Sequence, residues 1–306
     1  MWEWNILKKL TLGVVFFLLT FTLGSCTAKI GLENSINETK PIVSATIFPI
    51  YDLVRQIAGG KLEVNLIVQP NDSPHTYNPS IKERNRIEKS RLIFVIGHTL
   101  DSWAIEGITN KANIIVLDKG ISLISYQHAE RGHGQVNPHY WLDPENARTM
   151  AQVIADELSI LDPPNKDTYQ QNAQDLRKDL EKLSDEMLRL LKPIQSTPFI
   201  TLHDAWAYFG EAFNLQIKGS FEPTAANQPT PRYLQKLQEL ITAFNIKVIF
   251  SEPQLSTSSI DSFVKDNNLT MGTLDPIGGI DNRHNYQALI RFNCRELLQT
   301  IQNNSK

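Results

Sequence analysis

Three histidines and one aspartate are the side chains of this sequence whose positions indicate shared chemistry. His75 lies in QPNDSPHTYNPS, His139 in VNPHYWLDPENA, His203 directly after FITL and Asp275 directly after LTMGTL. Each follows a predicted strand, and open α/β sheets bind ligands at the carboxyl ends of their strands. A lone histidine is more often an ordinary surface or core residue, although histidine is also the commonest metal ligand. Their joint placement at equivalent strand ends predicts one shared site.

The elements that must position these residues are alternating strands and helices. In the first half, β-branched runs predict strands at 42–47, 62–68, 92–96 and 114–117, with helices at 50–58, 79–89 and 144–160. The second half repeats the pattern, with strands at 199–202, 215–220, 248–250 and 269–274 and helices at 204–213, 230–243, 256–266 and 284–302. Strands that alternate with helices are typical of βαβ units, so we expect two parallel sheets, each buried on both faces.

Residues 166–192 separate the two halves and predict one long helix with an apolar seam. The seam consists of Tyr169, Ala173, Leu176, Leu180, Leu183, Met187 and Leu190. Since it covers fewer than four heptads, packing across two lobes is favoured over a coiled-coil dimer, and we expect a monomer. The predicted organisation is an N-terminal α/β lobe at 41–165, this connecting helix, and a C-terminal α/β lobe at 193–306.

Residues 1–25 predict a secretory signal peptide. Two lysines precede a 14-residue apolar run at 10–23, which is too short to span a bilayer comfortably. The run ends in Leu-Gly-Ser-Cys, which resembles a bacterial lipobox, and this resemblance implies cleavage before Cys26 and acylation of its thiol. Residues 26–40 would then tether the mature protein to a membrane outside the cytoplasm. An uncleaved N-terminal anchor is the alternative.

Composition and charge exclude several classes of protein. Hydrophobic residues make up 41 % and charged residues 21 % of the 306 residues, which is close to the norm of globular proteins. With 30 Lys and Arg against 33 Asp and Glu, the net charge of −3 provides no overall field to recruit nucleic acid. The sequence carries no HExxH, GxSxG or P-loop motif, and Cys294 lies in an apolar-periodic segment typical of a buried residue.

Five segments together resemble the zinc- and manganese-binding solute-binding proteins of bacterial ABC importers, the cluster A-I family. They are PHTYNPS at 74–80, NPHYWLDP at 137–144, TLHDAWAYF at 201–209, SEPQ at 251–254 and LDPIGG at 274–279. The resemblance implies two α/β lobes joined by a rigid helix, with a metal ion in the interlobe cleft bound by His75, His139, His203 and Asp275. It also implies delivery of that ion to a membrane permease with a cytoplasmic ATPase.

The donor set favours Zn²⁺ as the transported ion. Three imidazoles and one carboxylate suit a four-coordinate zinc ion, whereas the harder Mn²⁺ prefers more oxygen ligands. Manganese-binding members of the family often carry Glu at the position of His203, so the resemblance also favours zinc. A member of the same family that binds Mn²⁺ or Fe²⁺ is the alternative.

A short loop at 125–136 lies where zinc-specific members of the family carry a histidine-rich insertion. It contains His128 and His133, which would capture zinc weakly and pass it inward. The alternative is a solvated loop with two incidental histidines, because such short tracts are only compositional evidence.

The other polar residues near the predicted strand ends have simpler expected roles. His98 and His284 are expected to be structural. Asp204 and Glu252 are candidate acceptors for the second N–H of a ligating imidazole, which such histidines usually donate. Each of these two is equally well explained as a helix-start or loop carboxylate.

Two other functional classes are compatible with parts of this pattern. A zinc-dependent hydrolase would keep one coordination position open for water and need a general base, whereas four protein ligands close the coordination sphere. A lipid-anchored adhesin, a role ascribed to some members of the family, would not require the metal site. We therefore predict a binding protein that is not an enzyme.

Overall fold

The computed structural model describes residues 40–106, 113–126, 136–222, 230–258 and 260–304. They belong to one unit of the chain, Lys40–Lys306. The predicted signal peptide, the lipidation candidate Cys26, and the loop histidines His128 and His133 lie outside the described residues. Within the described part, no helix combines the length and the apolar character needed to cross a membrane.

The N-terminal lobe is built on a parallel sheet with the strand order β2-β1-β3-β4. Its strands are β1 (Ile42–Ala45), β2 (Glu63–Leu66), β3 (Leu92–Val95) and β4 (Ile114–Val116). The central strands β1 and β3 are almost entirely buried, as a parallel sheet covered by helices on both faces requires. The chain passes from β1 to β2 on one side and then from β2 to β3 on the other side of β1. The direction of winding therefore reverses between β1 and β3, and the ligand-binding crevice is expected beyond their carboxyl ends.

The C-terminal lobe repeats this topology with the order β6-β5-β7-β8, again all parallel. Its strands are β5 (Pro198–His203), β6 (Gln216–Glu222), β7 (Val248–Ser251) and β8 (Thr270–Thr273). Ile200 of β5 pairs with Ile249 of β7, and both are buried in a core of this lobe. The corresponding crevice lies beyond the carboxyl ends of β5 and β7, where His203 and Glu252 are found.

Helices cover both sheets. They are α1 (Phe48–Ala58), α2 (Ile81–Glu88), α3 (Ser102–Glu106), α4 (Pro144–Leu161), α5 (Lys166–Leu191), α6 (Ala207–Ala212), α7 (Pro231–Ala243), α8 (Asp261–Asp266) and α9 (Tyr286–Asn304). Helix α2 begins with a capping box, in which Ser80 Oγ accepts from the Glu83 backbone N–H and Glu83 accepts from that of Ser80. Asp143 caps α4 by accepting from the Glu145 backbone N–H at 2.8 Å.

The long helix α5 runs behind both lobes and buries the predicted seam, with one difference. Leu191 is fully buried and completes the seam, whereas Leu190 is only partly buried. Helix α5 packs against α4, α1 and α9, which belong to different lobes. On its exposed face Glu186 pairs with Arg291 of α9 at 2.9 Å, so an ion pair also links the helix to the C-terminal lobe.

One apolar core extends through both lobes. It contains Ile50 from α1, Tyr169 from α5, Phe199 from β5 and Ile290 from α9. A core shared in this way resists separation of the lobes, because separation would expose its apolar surface to water.

The predicted fold class is confirmed: two α/β lobes with parallel sheets are joined by one long helix. Helix α8 is shorter than predicted, beginning at Asp261 instead of residue 256. Ser256 Oγ accepts from the Ser258 backbone N–H and pairs with its hydroxyl at 2.9 Å. Such side-chain hydrogen bonds compete with the helical pattern, which explains the later start.

Candidate metal centre

Three histidine side chains meet between the lobes. One nitrogen from each of His75, His139 and His203 lies within 4.8 Å of the other two. Nε2 of His139 is 3.1 Å from Nε2 of His75 and 3.3 Å from Nε2 of His203. Two nitrogens bound to one tetrahedral zinc ion at about 2.0–2.1 Å would lie about 3.3–3.4 Å apart. The three imidazoles are therefore spaced as ligands of a single small cation.

The histidines reach this point from different elements. His75 lies in the loop after β2, His139 precedes the 3₁₀ turn Tyr140–Leu142, and His203 is the last residue of β5. Trp103 restrains the loop of His75, since its Nε1 donates to the Pro74 carbonyl at 2.9 Å. Two of the three imidazoles, those of His139 and His203, are buried, and that of His75 is partly exposed.

Asn137 orients the imidazole of His139. Its Oδ1 accepts from both the backbone N–H of His139 at 3.0 Å and the ring Nδ1 at 2.9 Å. Because this oxygen can only accept, Nδ1 carries the ring hydrogen of a neutral imidazole. The lone pair then lies on Nε2, which faces the other two histidines. This is the arrangement that metal-ligating histidines usually show.

Glu252 orients His203 in the same way. Its Oε2 lies 2.7 Å from Nδ1 of His203, and its Oε1 accepts from Nε1 of Trp206 at 2.8 Å. Both carboxylate oxygens of this buried residue are thus occupied by ring N–H groups. The interaction leaves Nε2 of His203 facing His139, and it raises the basicity of the imidazole.

The pKa of His139 lies well below its usual value. Burial is the main cause, followed by repulsion from His203 and then His75. A neutral imidazole is the form that binds a metal ion, so burial keeps this histidine ready to bind at neutral pH.

Asp275 is fully buried beside this cluster but outside the group of mutually close ligand atoms, as far as the described residues extend. Its Oδ1 accepts from Gln254 Nε2 at 3.0 Å and from the backbone N–H groups of Ile277 and Gly278 at 2.9 and 3.0 Å. Its Oδ2 lies 3.3 Å from Nη1 of Arg283 and accepts no hydrogen bond from any residue described.

The cavity at the cluster is small. Besides the three imidazoles, it is lined by Trp141, Gln254 and Pro276, and it leaves about 10 Å³ of free volume. That volume is about what one water molecule needs. The free space beside the imidazoles is therefore of the size that a single ion requires.

Three other candidate residues, His98, Asp204 and His284, do not line the cavity of the three histidines. Nε2 of His98 pairs with Oδ2 of Asp118 at 2.9 Å, a partner that the sequence did not indicate, and His284 is exposed. The contact of Asp204 to the site is through its backbone, whose oxygen accepts from Asn137 Nδ2 at 2.9 Å. Burial raises the pKa of the Asp204 carboxyl.

Sequence reasoning missed the two amides of this site, Asn137 and Gln254. Both lie inside the motifs NPHYWLDP and SEPQ, two positions from a histidine and a glutamate that it did single out. The rule that a ligating imidazole donates its second N–H could have identified Asn137 by its proximity to His139.

Relatives of the chain are metal-uptake proteins. A high-affinity zinc uptake system protein ZnuA of Brucella abortus is 25 % identical over 90 % of this chain and 95 % of the relative. The manganese ABC transporter substrate-binding lipoprotein PsaA of Streptococcus anginosus is 26 % identical over 86 % of this chain and 88 % of the relative.

Solved structures show the same architecture. A crystal structure of ZnuA superposes with a TM-score of 0.74 at 26 % identity, covering 87 % of this chain and all of that one. The solute-binding protein FpvC of Pseudomonas aeruginosa, in complex with Mn²⁺, gives 0.77 at 25 % identity, with 86 % and 99 % covered. A laminin-binding adhesin of Streptococcus agalactiae gives 0.75 at 26 % identity, with 85 % and 99 % covered.

The family model described as "zinc-uptake complex component A, periplasmic" (ZnuA) matches residues 43–300, which include both lobes, the long helix and all three clustered histidines. The chain belongs to this ZnuA family.

Proposed function

We propose that this protein is the extracytoplasmic solute-binding component of an ABC importer and that its cargo is Zn²⁺. It is a binding protein and not an enzyme. The observation that carries the proposal is the meeting of three Nε2 atoms, with 3.1 and 3.3 Å between neighbours, in a cavity that has room for one ion. Each lobe contributes to the cluster, so a bound ion would add a further link between lobes that already share a core.

His75, His139 and His203 are the proposed zinc ligands, and Asp275 is the proposed fourth. Oδ2 of Asp275 accepts no hydrogen bond from the described residues and lies 3.3 Å from Nη1 of Arg283, so it is the oxygen that we propose as the donor to the ion. A shift of the loop at 69–78 or of the carboxylate would complete a four-coordinate sphere, the usual geometry for zinc held by nitrogen and oxygen ligands.

Zinc is favoured over manganese by the chemistry of the donors. Neutral imidazole suits Zn²⁺, whereas Mn²⁺ prefers carboxylate, carbonyl and water oxygens. Manganese is the second candidate cargo, since the relatives include both a zinc uptake protein and a manganese transporter lipoprotein.

The proposed partners are a membrane permease and its cytoplasmic ATPase, to which the loaded protein, acting as a monomer, delivers the ion. We further propose that residues 1–25 are a signal peptide, that Cys26 is acylated, and that residues 26–40 tether the protein to the membrane. The proposed lobes are 41–165 and 193–306, joined by the helix of 166–192. His128 and His133 are proposed as an accessory capture site for zinc.

The test is metal analysis of protein purified without chelator or added metal, followed by zinc titration calorimetry. We expect one zinc ion per chain in the wild type and a loss of at least about 100-fold in affinity in His139→Ala, because this removes a ligand, and removing only a hydrogen-bond partner of a ligand already costs about 10- to 100-fold. His284→Ala is the matched control, because His284 is exposed and should bind zinc like the wild type. Equal zinc affinity in both variants would contradict the proposal.

A further inference from the structure

Gln254 bridges the two halves of the metal centre through one nitrogen atom. Its Nε2 donates to Oδ1 of Asp275 and to the carbonyl oxygen of Pro70, both at 3.0 Å. Pro70 belongs to the N-terminal lobe and begins the loop that carries His75, whereas Gln254 and Asp275 belong to the C-terminal lobe. A single amide group therefore joins the His75 loop to Asp275.

The orientation of this amide is fixed by its surroundings. Both partners of Nε2 can only accept, so the nitrogen must face them and Oε1 must face away. Oε1 is buried and has no hydrogen-bond partner within the described residues, and the side chain lines the cavity of the three histidines. Burying an amide oxygen in this way lowers stability. An apolar side chain of the same length would avoid that loss but would leave the Pro70 carbonyl and Oδ1 of Asp275 without this donor.

Asp275 depends on Gln254 for its own orientation. Of the three donors to Oδ1, two are backbone N–H groups of the turn that follows Asp275, and Gln254 supplies the third and only side-chain donor among the described residues. On the opposite side, Arg283 lies 3.3 Å from Oδ2. Without the Gln254 donor, Oδ1 would be held by the two backbone N–H groups alone, and the carboxylate could turn further toward Arg283, which would make Oδ2 less accessible to the ion.

We propose that Gln254 is a positioning residue of the metal centre, which holds Asp275 by Oδ1 so that Oδ2 remains available to the ion, and which links this carboxylate to the loop of His75. The inference rests on the proposed function, since it concerns the same zinc site. It goes beyond the ligand set because Gln254 acts through Asp275 and without contact to the ion.

The first experiment compares zinc affinity in Gln254→Met and in the wild type by competition with a chromogenic chelator. Methionine keeps the length of the side chain and removes the donor. We expect a loss of about 10- to 100-fold, the usual effect of removing a hydrogen-bond partner of a metal ligand. Gln287→Met is the matched control: Gln287 also makes interlobe hydrogen bonds, with Gln56 at 3.2 Å, but does not line the cavity. Its zinc affinity should stay within about twofold of wild type.

The second experiment separates a role through Asp275 from general damage. In an Asp275→Ala background, Gln254→Met should change zinc affinity by no more than about twofold, because the group it positions is already gone. Cobalt(II) absorption spectra of Gln254→Met and Asp275→Ala should show the same departure from the wild-type spectrum, since both lose the same ligand oxygen. A purely structural role of Gln254 would instead lower affinity equally in both backgrounds and leave the cobalt spectrum unchanged.

The outcomes distinguish the two proposals. If wild-type protein bound no zinc, both the proposed function and this role of Gln254 would be overturned. If the wild type bound zinc and Gln254→Met bound it equally well, or lost affinity to the same extent with and without Asp275, only the role of Gln254 would be overturned. Thermal unfolding of the metal-free protein shows whether Gln254→Met folds. If it does not fold, Gln254→Leu replaces it in the same experiments.

Discussion

Each histidine at the site must present the lone pair of one ring nitrogen to the ion. The hydrogen-bond partner of the other ring nitrogen determines which nitrogen carries that lone pair. For His139 this partner is a neutral amide, that of Asn137, and for His203 it is a carboxylate, that of Glu252. The difference in charge suits the two positions. A second carboxylate beside His139 would favour its protonated form, whereas a neutral partner leaves burial and the neighbouring imidazoles free to lower its pKa.

The lowered pKa of His139 predicts how metal-free protein responds to acid. Below the ordinary histidine pKa of about 6.5, the unfolded chain binds a proton at His139 that the folded chain excludes, so stability falls as pH decreases and is fully restored above that value. Relative to His139→Gln, the wild type should lose unfolding free energy as the pH falls below about 6.5, by at most about 1.4 kcal/mol per pH unit. Urea unfolding with a chelator present measures this, and parallel pH profiles of the two proteins would contradict it.

The candidate ligands could be predicted from the sequence because their residue types are rare and their positions repeat. His75, His139 and His203 each follow a predicted strand, and the protein has 7 histidines in all. Gln254 and Arg283 could not be predicted in the same way. Amides and arginines are common in loops, and the contacts of these two with Asp275 depend on how the last loop folds back over the site.

At the scale of elements, hydrophobic patterns predicted which segments are strands better than where they end. Residues such as Val68, Ile96 and Leu274 were expected within strands, and all are buried, yet each lies beyond the assigned end of its strand. Apolar runs in a sequence indicate buried residues, and the chain remains buried beyond the last residue that is paired in the sheet. The elements that carry the site are therefore placed correctly, while their loops begin earlier than predicted.

Asp143, the N-cap residue of helix α4, has a pKa above its usual value. Burial, opposed only partly by the hydrogen bond from Glu145 N–H, raises the pKa of Asp143 to about 6. A raised pKa contributes stability below the unfolded value, and this contribution is lost as pH rises through about 6. Because Asn caps helices as well as Asp, Asp143→Asn should avoid a loss of about 2 kcal/mol that the wild type shows between about pH 4 and pH 7. Urea unfolding across this range tests the difference, and a constant difference would exclude it.

At the scale of the molecule, the lobes are joined by more than the long helix. Trp141 Nε1 donates to the Pro276 carbonyl at 2.8 Å, and Tyr286 donates through its hydroxyl to the Trp141 carbonyl at 2.7 Å. The Tyr286 backbone N–H also donates to Oδ2 of Asp52 in α1 at 2.8 Å. These buried hydrogen bonds and the shared core oppose a wide hinge motion. Exchange of the ion then requires movement of the ligand loops, above all the loop of His75.

The start of that loop also lies close to the C-terminal lobe. Gly279, with φ of +88°, leaves no room for a side chain: a Cβ there would lie 2.7 Å from Cγ of Pro70 and 2.8 Å from Cδ2 of Phe48. Gly60, with φ of +77°, has nothing within 4 Å of the corresponding position. Alanine substitutions at Gly279 and Gly60 can therefore be compared to separate the effect of the interlobe contact from the cost that a positive φ imposes on alanine.

Gly279→Ala should therefore reduce both stability and zinc affinity, because the loop of His75 must move away from the C-terminal lobe. We expect Gly279→Ala to lower the free energy of unfolding by about 1–3 kcal/mol more than Gly60→Ala, the usual cost of overpacking a tight contact. Zinc affinity should fall in Gly279→Ala alone, since Gly60 lies in open space far along the chain from every ligand. Urea unfolding and zinc titration of both variants decide the point. Equal effects of the two substitutions would mean that the contact at Pro70 contributes nothing to the position of His75.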